Sequence, residues 1–138
     1  MDRNRALFRR LVICCSALLL GAGGRQAPAR SHEVRMAGTR FSPEETTALA
    51  GDTVRFLNAG GGLHNVQFFA DSIAPPVHGL LERAMPGDKI GPLAGPLLLD
   101  RNETYAIVVP ALPAGRYPFV CRPHYASGMT GTLRVVRR

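Results

Sequence analysis

A chain of 138 residues, 46% of them apolar and 20% charged, with 15 glycines and 11 prolines, has the size and composition of one turn-rich globular domain. That excludes a coiled coil, a disordered tail and a two-domain enzyme. The formal charge of +7 divides unevenly: Arg3, Arg5, Arg9, Arg10 and Arg25 against Asp2 account for four units, and from Arg30 onward 12 basic residues face 9 acidic ones, with no basic run longer than Arg137 and Arg138, so no nucleic-acid partner is expected.

Residues 1–10 carry four arginines, and Leu11 to Leu20 are apolar apart from Ser16. This is the charged region and hydrophobic core of a secretory signal. Ten residues span about 15 Å as a helix, half the hydrocarbon thickness of a bilayer, which is short for a transmembrane anchor. Cleavage after Ala22 or after Ala29 fits the small residues there, so residues 1–29 read as signal and short linker and residues 30–138 as the folded domain. The expected location is the periplasm or another extracytoplasmic face, with membrane association if the leader is retained. Cys14 and Cys15 belong to the leader. The exported domain keeps only Cys121 and cannot form an internal disulfide. In an oxidising compartment an unpaired thiol has to be buried or coordinated.

Beyond the leader the pattern is that of strands. His32 to Met36 and Thr46 to Leu49 are short candidates. Ala50, Gly51 and Asp52 turn the chain into Thr53 to Asn58, where Val54 and Phe56 share a face. A glycine-rich turn over residues 59–62 leads to His64 to Phe69, with His64, Val66 and Phe68 in phase. Asp71 to Leu99 is too rich in proline and glycine for a regular strand, and predicts an excursion between sheets with one or two helical turns over Val77 to Met85. Glu103 to Val109, Arg116 to Cys121 and Gly131 to Val136 complete seven short strands. Their alternation and turn spacing predict an all-β Greek-key sandwich.

The chemistry concentrates near the last two strands. Tyr117, Phe119 and Cys121 share one strand face, so if the aromatics enter the core the Cys121 sulfur points inward at its end. Pro118 in that strand requires an edge position or an irregularity. After Cys121 come Pro123, His124, Gly128 and Met129. This spacing lets a loop gather a thiolate, an imidazole and a thioether around one point, and His64 can bring a second imidazole from its strand. One thiolate, two imidazoles and one thioether are the donors of a trigonal copper site with a weak axial methionine, suited to both Cu(I) and Cu(II). The arrangement requires the His64 imidazole to lie within about 6 Å of the Cys121 sulfur. His32 and His78 read as ordinary exposed histidines.

The string from Cys121 and His124 to Gly128, Met129, Thr130 and Gly131, with His64, Asn65 and Val66 and with Ala50 to Val54 upstream, resembles the cupredoxins, the small blue copper proteins of the plastocyanin and pseudoazurin type. The resemblance covers His32 to Val136. It implies an eight-stranded sandwich and a type 1 copper centre at His64, Cys121, His124 and Met129. It also implies an Asn65 that ties the ligand-bearing loops together from outside the metal's coordination sphere, and an electron port at His124. The implied function is one-electron transport between larger redox proteins, donor and acceptor docking near His124 on a monomer, with no enzymatic activity. Copper delivery or storage is the alternative. Photosynthetic plastocyanins carry a tyrosine just before the copper cysteine. Here that position is Val120, and Asp71, Glu82 and Asp88 are interspersed with Arg83 and Lys89, so a photosynthetic role does not carry over.

Overall fold

The computed structural model of the protein describes residues 27–137; the expected leader lies outside them except for its last three positions, and so does Arg138. The chain forms β1 (Ser31–Ala37), β2 (Arg40–Ser42), β3 (Glu45–Ala48), β4 (Thr53–Asn58), β5 (Gln67–Phe68), helix α1 (Pro75–Ala84), β6 (Thr104–Val108), β7 (Gly115–Val120) and β8 (Thr130–Val135). Two four-stranded sheets result, ordered β2-β1-β4-β6 and β3-β8-β7-β5. Within them β1 runs parallel to β4 and β3 parallel to β8, while the other pairs are antiparallel. This is the expected Greek-key sandwich.

Three elements differ from the sequence reading. β2 is an eighth strand of three residues with one buried side chain, Phe41. It is too short to show a period. The helical piece of the excursion is longer than two turns: α1 begins with Pro75 and Pro76, which need no donor partners there, buries Val77 and Leu81 at i,i+4 spacing, and stops before Pro86 and Gly87. The strand expected over His64 to Phe69 shrinks to the two residues of β5. Pro118 explains where it ends: Phe69 donates its N–H to the Pro118 carbonyl at 3.0 Å, but Pro118 has no N–H to return, and the ladder stops. The residues before β5 pair instead with the returning end of the excursion, through bridges His64 to Leu98 and Gln67 to Ala94.

The inward faces meet in one apolar core. At its centre the Phe119 ring stands edge-on to Phe41, Phe56 and Phe68, with centroids 4.9, 5.3 and 5.7 Å away. These perpendicular contacts are the favourable arrangement for aromatic quadrupoles. Gly131 lies directly across the ladder from Phe119 and makes room for it. A Cβ on Gly131 would come within 2.5 Å of the Phe119 ring and 3.2 Å of the Glu44 carbonyl.

At the end of the sandwich where β1 begins, Asp52 is a buried carboxylate with three donors. The Arg30 and Leu49 N–H groups reach it at 2.9 and 3.0 Å, and His32 Nε2 at 2.9 Å. Burial alone would raise its pKa, but the donors outweigh burial and hold it at about 2.

Two outcomes follow from this packing. Gly131→Ala lowers unfolding free energy by about 1–3 kcal/mol in urea titrations, the usual cost of overpacking a rigid core, whereas the same change at half-buried Gly91, whose Cβ meets nothing within 4 Å, leaves it nearly unchanged. Because the Asp52 pKa is depressed in the folded state, its stabilisation is present above pH 4 and drains away as pH falls toward 2. Asp52→Ala should therefore cost roughly 1–3 kcal/mol at pH 7 and show a shallower loss of stability across that acid window, measured by the same titrations at each pH.

Candidate metal centre

The alternation of β7 buries Tyr117, Phe119 and Cys121 together. Beyond the strand the chain makes short 3-10 turns over Arg122–Ser127 and reverses at Gly128, whose φ of 77° favours a residue without Cβ. The loop is closed by its own backbone. The Cys121 N–H donates to the Met129 carbonyl at 3.1 Å, the His124 N–H to the Cys121 carbonyl at 3.1 Å, and the Met129 N–H to the His124 carbonyl at 3.2 Å. Met129 is fully buried, and its main chain is thereby bonded to both Cys121 and His124.

His64 arrives from the other side. Its N–H donates to the Leu98 carbonyl at 3.0 Å, and the Leu98 N–H donates back at 2.8 Å, which holds the residue where the sheet ladder no longer does. The next residue, Asn65, is buried, and its Oδ1 accepts the Arg122 N–H at 2.7 Å. This bond ties the His64 segment to the Cys121 loop.

The side chains converge. Nδ1 of His64 lies 3.7 Å from the Cys121 sulfur and Nδ1 of His124 lies 3.4 Å from it. The two imidazoles sit with centroids 4.8 Å apart, tilted by 40°. One donor atom from each of the three residues falls within 4.8 Å of the others, and among the described residues no other such group of histidine, cysteine and acidic side chains forms. His64 and Cys121 are buried, while His124 is half-exposed.

Electrostatics prepares these groups for a cation. Burial, reinforced by the neighbouring His124, holds the His64 pKa below its ordinary value against an opposing hydrogen bond to the Gly61 backbone, so the ring is neutral near pH 7 with a lone pair to offer. Burial also pushes the Cys121 thiol up, although hydrogen bonds from the Asn65 and His124 backbone act in the other direction. The sulfur therefore keeps its proton at neutral pH unless a cation displaces it. A thiol, two imidazoles and no carboxylate reject hard cations such as Mg²⁺ and Ca²⁺, which take oxygen ligands, and fit copper. Its donor set and its burial suit the cluster to hold a metal ion.

His32 and His78 stand apart and are less exposed than expected. His32 is the partner of Asp52, and His78 Nε2 spans the Ala70 and Ile73 carbonyls at 3.0 and 2.9 Å. His78 thereby staples the backbone, while His32 pairs with a carboxylate. Leu98 is a contributor to the site that sequence reasoning missed. Its role is purely main-chain, and no residue pattern announces where an irregular excursion folds back.

The family described as copper binding proteins, plastocyanin/azurin family, matches residues 29–136. Plastocyanin of Vicia faba is 36% identical over 98 residues, 71% of this chain and 89% of that one. Among solved structures, the oxidised form of plastocyanin from Dryopteris crassirhizoma superposes with a TM-score of 0.60 at 28% identity, covering 76% of this chain and all of that one. A reduced amicyanin variant gives 0.53 at 25% identity over 77% of this chain and 82% of its own. With the matched region running from the start of β1 to the end of β8, and with the thiol and two imidazoles gathered at one end of the sandwich, the chain belongs to the plastocyanin/azurin family of copper-binding proteins.

Proposed function

We propose that this protein is an exported one-electron carrier, with a single type 1 copper ion held by His64, Cys121, His124 and Met129. The observation that supports it most is the approach of two imidazoles to one buried sulfur, at 3.7 and 3.4 Å, on segments fixed by backbone bonds. Copper supplies a Cu(I)/Cu(II) couple that this donor set serves in both states. The protein's part is to keep the donors where they are. Asn65 restrains the two ligand-bearing segments against each other, and the bonds among Cys121, His124 and Met129 fix the loop. Burial of His64, Cys121 and Met129 excludes water from the inner side.

His124 alone among the four reaches the surface, and apolar side chains lie exposed beside the site in the chain: Leu63 before His64, Leu99 after Leu98, and Tyr125 after His124. Exposed apolar groups of this kind suit a transient interface. We assign donor and acceptor docking, by larger redox proteins, to this end. The solved relatives include oxidised and reduced forms, in keeping with a redox role. Residues 1–29 supply the export signal in this reading, and work outside the cytoplasm follows.

Absorption and electron paramagnetic resonance spectra of the copper-loaded protein, followed by voltammetry, test the proposal. The expected result is an intense visible thiolate-to-copper band and a reversible one-electron couple; an irreversible response would favour copper delivery or storage. Cys121→Ser should abolish the band, and colour that survives it removes Cys121 from the site. Met129→Leu should retain the band and raise the potential, since a weak donor to Cu(II) is lost. A potential that stays level or drops would contradict Met129 as a ligand.

A further inference from the structure

The glycine turn before His64 is not free to move. Gly61 and Gly62 both adopt positive φ, 71° and 89°, and Gly62 stands two residues before His64. Two successive residues in a conformation open mainly to glycine define a turn with little intrinsic preference for one geometry. Something outside the turn has to select it.

Asn58, the last residue of β4, is fully buried and makes the selecting contact. Its Nδ2 donates to the Gly62 carbonyl at 2.8 Å. Its main chain is held on both sides, the Asn58 N–H donating to the Glu103 carbonyl at 2.9 Å and the Asn102 N–H donating to the Asn58 carbonyl at 2.8 Å. Glu103 belongs to the same corner, accepting the Asp100 N–H at 2.7 Å and also that of Leu99, next to the Leu98 that pairs with His64. The carboxamide is thus mounted on the rigid end of a central strand and reaches across to the turn. Its Oδ1 is buried without a hydrogen-bond partner. Leaving a buried acceptor unpaired costs free energy, so core packing alone would favour an apolar residue of the same shape at this position. The donated bond to Gly62 is what an apolar residue could not provide.

We propose that Asn58 is a positioning residue for the metal site. Through Gly62 it fixes the turn, and the turn together with the paired Leu98 backbone fixes where the main chain of His64 stands, with the ring's Nδ1 3.7 Å from the Cys121 sulfur. The inference rests on the reading of His64 as a ligand. Outer hydrogen-bond partners that orient a metal-binding histidine typically change affinity by about 10–100-fold when removed. Linkage requires the converse: a metal that favours the oriented ring must also strengthen the Asn58 bond.

The test uses the full chain and compares Cu(I) affinity, by chelator competition, and the apo melting temperature for wild type, Asn58→Leu and His64→Ala. Leucine keeps the shape of the side chain and removes the donor. The expected result is Cu(I) affinity lower by about tenfold in Asn58→Leu, with an altered visible band in the Cu(II) form. If Asn58→Leu shifts the apo melting temperature but leaves affinity and band as in wild type, Asn58 is merely structural and the proposal is overturned. If His64→Ala leaves Cu(I) affinity unchanged, the ligand reading itself fails and takes this one with it. Should Asn58→Leu not fold, hydrogen exchange of the Asn58 carboxamide protons in wild type decides: Cu(I) loading should slow it about tenfold, matching the affinity effect by linkage, and unchanged exchange overturns the proposal.

Discussion

The phase of β7 is the constraint on which the rest depends. Tyr117, Phe119 and Cys121 enter the core together because a strand's side chains alternate, and Phe119 fixes that alternation by filling the space among Phe41, Phe56 and Phe68. A slip of one residue would turn the sulfur outward along with both aromatics. Gly131, opposite Phe119 on β8, is part of the same lock, because only a missing side chain leaves the ring its place. The position of the thiol is thus decided by hydrophobic packing two residues away, before any metal is considered.

Around that sulfur the fold uses main-chain bonds to hold what side chains must not do alone. The loop from Cys121 to Met129 closes on its own carbonyls, the Asn65 carboxamide bridges to Arg122, and Leu98 grips His64 by both backbone groups. These bonds restrain the donor-bearing segments through the main chain, and small change between oxidation states is what rapid electron exchange demands.

The sequence made the sheets and the metal-binding cluster legible for identifiable reasons. Val54, Phe56, Tyr105, Ile107, Leu133 and Val135 alternate cleanly because one face of each strand is buried and the other wet. Cys121, His124 and Met129 could be read as a unit because they are close in the chain. Legibility failed where structure comes from distant backbone. Asn65 and Val66 are consecutive and both buried, which no period-2 pattern predicts, since the returning excursion covers a surface that a regular edge strand would leave open. β2 was invisible because one buried residue in three carries no period, and α1 was underestimated because the prolines that begin it look like breakers until their position in the first turn is known.

The shortness of β5 has a consequence for the molecule among its own copies. A long, bare strand at the margin of a sheet invites a second chain to add itself, which is the route to fibrils and precipitates. Here the margin nearest the metal end offers only two residues of regular strand, and residues 93–98 lie along its outer side, joined by the bridges at His64 and Gln67. The proline that halts the ladder and the segment that covers it together leave no bare template there for self-association.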